Sequence, residues 1–357
     1  MNKQTQAHEN APNIFTYASK ELSQDAMICW LVACAKDADP TSELHDCGMS
    51  FVRALLRSGE SRVINARSDK PDFLPKGDIT EIEKICPQYK KIDVFFQVKW
   101  GEKFVSVIVE DKTQSEAHGG QLDRYKDAVK SDNIEEDYIK LIYFKSGYVY
   151  GDEREKAENA GYCVIDACKI VNFFDSGKWI STHDFVRDFA NHVAERVDKR
   201  RKLLENWDLN QGFVQWELMT ALKSELGMSE KWPSKDFNKG GGASTQYPHH
   251  KNRNVLYWRI DSWKPLRLMV HPQKIGKEIA LASWDDWERA FKEAAVHCGL
   301  KTVKFRRKRM HKGRLVWEGT IGAVDVRNCL KSEGLDNCVK KVCELHNRFI
   351  GSVSLQL

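Results

Sequence analysis

The chain has no Cys-x-x-Cys pair, no apolar run of the 18 or so residues a membrane helix needs, and no basic start followed by an apolar stretch in its first 30 residues. The first absence sets aside the common zinc motifs. The ten cysteines instead recur at a spacing of five, at Cys29/Cys34, Cys163/Cys168 and Cys338/Cys343, which reads as buried, reduced thiols. The other two absences exclude a spanning or secreted protein, so a soluble cytoplasmic chain is expected, with no membrane partner. The Gly-rich stretch Lys239–Ser244 lacks the Gly-Lys-Ser or Gly-Lys-Thr ending of a phosphate loop and is read as a flexible connection. His249, His250 and His271 have no metal-binding spacing.

What is present is enough for a full core. At 357 residues with 41% hydrophobic content, the chain is expected to hold two domains rather than one. Its net charge of +5 hides an asymmetry. Residues 201–357 hold 28 of the 56 Lys and Arg but only 17 of the 51 Asp and Glu, together with eight of the 11 Trp. A basic, Trp-rich half suggests an anionic partner, nucleic acid first, because phosphate neutralisation and base stacking use those residue types. The plain alternative is a domain with Trp in its core and Lys on its surface. The densest positive run holds Lys304, Arg306, Arg307, Lys308, Arg309, Lys312 and Arg314. As a hairpin turning near His311–Gly313 it would track a phosphate backbone, or else act as an edge strand that uses like charge to block aggregation.

The pattern of apolar residues predicts a helix from about Tyr17, with Ser19 as N-cap and with Leu22, Ala26, Cys29, Trp30, Ala33 and Cys34 on its buried face. A helix over Leu44–Arg57 and a strand over Arg62–Ala66 follow, then a polar, Pro-containing loop. After the hairpin described next come a helix over Gln121–Lys130 and strands over Tyr138–Phe144 and Tyr162–Asp166. A long helix from Thr182 to about Asn206, with Phe185, Phe189, Val193 and Val197 on one face, reads as the bridge to a second, α+β half.

The chemistry concentrates in one hairpin. Lys90–Phe96 and Val107–Lys112 are rich in Val, Ile and Phe, and Trp100-Gly101-Glu102-Lys103 supplies a two-residue loop with Gly first. Pairing Trp100 with Lys103 fixes the register and sets Asp93 directly across from Glu110, with Cβ atoms about 4.5 to 5.5 Å apart. Two acids that close repel unless a cation lies between them. Lys112 falls on the same face as Glu110, whereas Asp111 points to the opposite one. Two carboxylates on neighbouring strands suit Mg²⁺ or Mn²⁺, and a partly buried Lys beside them would orient or deprotonate an attacking water. The flanking Val94, Phe96, Val105, Val107 and Val109 make the other face apolar, so this is no plain charged strand edge.

The order of elements and these residues resemble the PD-(D/E)XK nuclease superfamily, whose core is a helix, three strands, a helix and a strand. Asp93 matches its acid on the second core strand, and Glu110-Asp111-Lys112 matches Glu-x-Lys on the third. Glu21 matches the further acid of the first helix, with Asp25 one turn away. Gln121 and Tyr125 are similar to the Gln-x-x-x-Tyr motif of the RecB-like and lambda-exonuclease-like branch, and, four apart on a helix, share a face. Ile92 stands at the Pro position before the acid, a departure the superfamily tolerates. The resemblance covers residues 15–166 and implies an α/β, restriction-endonuclease-like fold with a central mixed sheet flanked by helices in αβββαβ order.

The domains expected are a loose N-terminus at 1–14, a nuclease domain at 15–180, a linking helix at 181–206 and the basic α+β domain at 207–357. The resemblance implies a Mg²⁺- or Mn²⁺-dependent nuclease acting on nucleic acid, DNA ahead of RNA, leaving 5′-phosphates. In it Asp93, Glu110 and Glu21 hold the metal, Lys112 serves the water, and Gln121 and Tyr125 support. A role in prokaryotic defence or DNA processing fits such a chain, as do a homodimer, an activating ligand or protein, and a sensor whose nuclease core is gated.

Overall fold

The structure is a computed structural model. It describes residues 21–113, 115, 122, 124–125, 137–177, 179 and 183–226, then 234–235, 242–246, 256–261, 264–270, 284–304 and 319–353. The chain divides into two compact units, residues 1–199 and 200–357, and the boundary falls inside a helix, Asp184–Glu205.

The first unit opens with two helices, α1 (Glu21–Asp37) and α2 (Glu43–Arg57), the second capped by Ser42, whose Oγ accepts from His45 N at 3.1 Å. Strands β1 (Arg62–Asn65), β2 (Lys70–Phe73), β3 (Ile79–Tyr89), β4 (Ile92–Trp100), β5 (Lys103–Lys112) and β6 (Tyr138–Lys145) follow. Helix α3 (Gly151–Asn159), strand β7 (Cys163–Asp166), helix α4 (Ala167–Ser176) and helix α5 (Asp184–Glu205) complete it. Among the described residues these strands make one mixed sheet in the order β2-β1-β6-β5-β4-β3, with β7 also beside β6. β5, β6 and β7 run parallel, and the other neighbours antiparallel.

Alternation along β4 and β5 divides the core in two. Val94, Phe96, Val98, Val105, Val107 and Val109 pack under Met27, Ile28, Leu31, Phe51, Leu55, Phe189 and Val193. Phe95 and Ile108 face the other way, into a smaller cluster with Tyr125, Leu141, Tyr143, Ala157 and Tyr162. The β4–β5 register is the one expected from the sequence, with Trp100 paired to Lys103 and Val94 to Val109, and Gly101 takes a φ of 61° at the turn.

Several expectations need correction. α1 buries the predicted face only in part: Cys34 is buried and Cys29 and Trp30 pack half-buried on the core, but Leu22 is 63% exposed and Ala26 is exposed, while Gln24, Asp25, Met27, Ile28, Leu31, Val32 and Ala35 are buried. The helix is apolar nearly all round, so spacing alone does not choose its inner face, and two polar residues lie on it. β3 was read as a polar loop. It is the edge strand of the sheet, and its register shifts break the alternation, so of its eleven residues only Ile79 and Ile82 are buried. The three strands before the crossover are therefore β3, β4 and β5, and the predicted Arg62–Ala66 strand, β1, lies beyond β6. Lys90 and Lys91, read as strand, form the β3–β4 turn with φ of 53° and 72°. Two further helices are present: α3, whose Gly-Asp-Glu-Arg-Glu-Lys-Ala-Glu-Asn has no apolar period to find, and α4, which buries Ala167, Ile170 and Phe174. In α5, Phe189 and Val193 are buried as expected, but Phe185 is 43% exposed, edge-on to Trp30 at 5.8 Å.

The second unit holds α6 (Gly212–Glu225), β8 (Ser234–Lys235), β9 (Gly242–Gln246), β10 (Leu256–Asp261), β11 (Leu266–Val270), α7 (Trp284–His297), β12 (Lys301–Thr302), β13 (Gly319–Asp325) and α8 (Arg327–Ser352). Its strands pair antiparallel in the order β12-β13-β11-β10-β9-β8, and the three helices share one core with them. Part of the stretch read as a flexible connection is β9, whose Gly242 pairs with Asp261. Trp216, Trp258 and Trp287 are 0–3% exposed, so these three fill the core and are not stacking residues for a nucleic acid. No helix among the described residues is long and apolar enough to cross a membrane.

α1 and α2 approach closely at Gly48 of α2, where an added Cβ would lie 2.5 Å from Ala35 N and 2.6 Å from Leu31 O of α1. Backbone atoms cannot swing aside as a side chain can. Gly48→Ala is expected to lower unfolding stability by about 2 to 3 kcal/mol in denaturant titration.

Candidate active site

Asp93 enters at the start of β4, and Glu110, Asp111 and Lys112 close β5. The pairing carries Asp93, Glu110 and Lys112 onto the face that holds Phe95 and Ile108, as the sequence predicts. Lys112 Nζ lies 2.5 Å from Glu110 Oε1 and 3.4 Å from Asp93 Oδ2, and it donates to the Asp111 carbonyl at 2.8 Å. The cation that the two acids require between them is therefore, in this structure, the ammonium of Lys112. Asp93 Oδ2 also accepts from the Asp111 backbone N at 2.9 Å, which fixes its carboxylate against the neighbouring strand.

Glu110 is fully buried, and burial, with a smaller contribution from the charge of Asp93, raises its pKa to about 7 despite Lys112. Its Oε1 is paired with the Lys112 ammonium, and its Oε2 has no hydrogen-bond partner. A buried carboxylate with free lone pairs, facing a second carboxylate, is the donor set a hard divalent ion takes, so the residues present fit Mg²⁺ or Mn²⁺. Among the described residues no group of three or more His, Cys, Asp or Glu is gathered as a metal site, and the two acids supply only part of a shell.

On the opposite face, Asp111 is enclosed under α1. Gln24 Nε2 donates to its Oδ1, Asp25 is its neighbour, and its Oδ2 has no hydrogen-bond partner. Burial first, then the charge of Asp25, holds the Asp111 carboxyl well above the usual range. Asp25 accepts from Gln88 Nε2 at 3.0 Å. Burial and the charge of Asp93 push its pKa up to about 6. Asp25 is thus an acid of α1 close enough to Asp93 to feel its charge. The side chain of Glu21, which opens the helix, lies outside the described residues, as does Gln121.

Tyr125 is 5% exposed inside the cluster that holds Phe95 and Ile108, and Tyr162 Oη donates to Leu122 O at 3.0 Å; the other residues of the predicted Gln121–Lys130 helix, Arg124 apart, lie outside the described residues. The burial of Tyr125 suits bracing rather than reaching for a substrate. Lys304 is exposed, while Arg306, Arg307, Lys308, Arg309, Lys312 and Arg314 lie outside the described residues. Gln24, Asp25 and Asp111 are not legible as a group in the sequence, because α1 and β5 are far apart along the chain and only strand parity hints that Asp111 turns inward.

The raised carboxyl pKa values set the pH dependence of stability. Glu110 and Asp25 keep their protons in the fold above the pH at which the unfolded chain releases them, so the folded state binds more protons between about pH 4.5 and 7. Stability of the metal-free protein is expected to fall as pH rises through that window, by roughly 3 kcal/mol for Glu110. Thermal melts in chelator at pH 5 and pH 8 check this. Asp111→Asn is expected to reduce the loss.

A family model of the PD-(D/E)XK nuclease superfamily matches residues 10–207, which include both faces of this site. No curated protein and no solved structure matches the chain. Nucleases of the matched superfamily generally use divalent metals such as Mg²⁺ or Mn²⁺ and act on nucleic acid. The match spans more than half of the chain, and with the mixed sheet and its flanking helices it establishes that this chain belongs to the PD-(D/E)XK nuclease superfamily.

Proposed function

We propose that the chain is a divalent-metal-dependent phosphodiesterase that cuts nucleic acid, DNA ahead of RNA. The observation that carries this reading is the convergence of Asp93, Glu110 and Lys112 on one face, with Glu110 buried and its Oε2 without a hydrogen-bond partner. When bound there, Mg²⁺ or Mn²⁺ would polarise the phosphate and lower the pKa of a water. Asp93 and Glu110 hold the ion, and an acid of α1, Glu21 or Asp25, extends its shell. Displaced from between the carboxylates, the Lys112 ammonium stays within reach of the attacking water, orients it and offsets negative charge gathering on the phosphate oxygens. Tyr125, buried in the cluster on this face, would brace it, and Gln121 would support the site with it by resemblance to the RecB-like branch. Asp25, Asp111 and Gln24 pin the end of β5 from behind.

The second unit is assigned as the domain that engages nucleic acid or a trigger. Its excess of Lys and Arg supports that role, whereas Trp216, Trp258 and Trp287 do not, since they are core. Prokaryotic defence or DNA processing is the setting such a two-domain chain suits.

Supercoiled plasmid, linear duplex and single-stranded RNA, each with Mg²⁺, Mn²⁺ or EDTA, form the direct test. Metal-dependent cutting is expected, with Asp93→Ala and Lys112→Ala each slowing it by about 10²-fold or more. Cutting that survives both substitutions overturns the site. A folded wild type that binds DNA but cuts nothing favours the gated effector. The two helix acids separate in the same assay, with Asp25→Ala expected to reduce cleavage more than Glu21→Ala.

A further inference from the structure

A second buried lysine stands beside the first. In the parallel β5–β6 register Lys112 is paired with Lys145 and Glu110 with Tyr143, so Tyr143 and Lys145 emerge on the face of the candidate site. Lys145 is fully buried. Its Nζ lies 2.5 Å from Glu153 Oε1 and donates to the Ser115 carbonyl at 2.8 Å. Glu153, itself 4% exposed, also accepts from Tyr143 Oη and, through Oε2, from Tyr150 N at 3.2 Å.

Two ammonium groups at adjacent register positions repel, and each is drawn to any unsatisfied carboxylate within reach. Glu110 keeps its Oε2 without a partner while Oε1 takes Lys112, and its register partner Tyr143 is only two residues along the strand from Lys145. The chain leaving β5 is gripped by the chain leaving β6 at three points. Ser146 N donates to Lys112 O at 3.2 Å, Lys145 reaches Ser115 O, and Gly147 lies so close that an added Cβ would meet Thr113 O at 1.7 Å.

We infer that Lys145 and Glu153 are a positioning pair for the nuclease site: Glu153 sequesters Lys145 so that it does not claim Glu110 Oε2, the oxygen left for the metal, and Lys145 fixes the backbone that follows Lys112. This rests on the reading of Asp93, Glu110 and Lys112 given above. The pair touches neither substrate nor metal, so its effect passes through Glu110 and Lys112.

Calorimetric titration with Mn²⁺, alongside plasmid cleavage, tests it. Glu153→Gln releases Lys145 onto Glu110 and is expected to weaken Mn²⁺ binding by about tenfold or more. Lys145→Met with Glu153→Gln removes the rival cation and should return affinity to within about twofold of wild type. In that double variant kcat should still be down by roughly tenfold with KM little changed, because the tie to Ser115 is gone. If Glu153→Gln fails to fold, the double variant, with no buried charge left unpaired, carries the test through this split between restored binding and lost kcat. Wild-type Mn²⁺ affinity in a folded Glu153→Gln, or wild-type kcat in the double variant, overturns the pair and leaves the nuclease reading standing. A wild type that binds no Mn²⁺ overturns both.

Discussion

Burying charge where two parallel strands end is the constraint around which the first unit is arranged. Lys112 lies between Glu110 and Asp93 with almost no access to water. An uncompensated charge in such a place is costly, so each group has to be met by another or by a metal. The polar contacts around the site follow from that requirement. Asp93 is held by the Asp111 amide, Lys112 by a backbone carbonyl, and the neighbouring Lys145 by Glu153 and Ser115. A site assembled this way is held in place without a substrate, which matters for chemistry that depends on where charges stand.

The sheet also partitions the acids. Strand alternation sends Glu110 and Lys112 to one face and Asp111 to the other, where Gln24 and Asp25 of α1 receive it. Asp93 links the two faces, because its carboxylate takes the Asp111 amide while its charge is felt by both Glu110 and Asp25.

The second unit follows a different logic. Its aromatic residues are structural where they are described: Trp258 packs 6.2 Å from Phe291 and 6.3 Å from His346 in the centre of the core. The charge excess remains on the sequence of this half, and the attraction it offers an anionic partner is a property of composition that does not depend on how the Trp residues are used.

The sequence by itself determined the β4–β5 register, since a two-residue turn with Gly101 and an alternating apolar face leave one way to pair the strands, and that register alone brings Asp93, Glu110 and Lys112 together. It also determined the helices with a strong apolar period, α2 and α5, and the charge asymmetry of the two halves. Tertiary structure decided the rest. Which face of α1 turns inward depends on the sheet it meets, because the helix is apolar nearly all round and hides Gln24 and Asp25 on its inner side. β3 is an edge strand, half in water, so its residues carry no alternation to read. Glu153 sits in a helix of almost wholly polar sequence and is buried only because Lys145, eight residues earlier and at the end of a different strand, is there to meet it. Local periodicity reports which residues avoid water, whereas a buried charge is settled by its partner, and partners from separate elements are known only once the chain has folded.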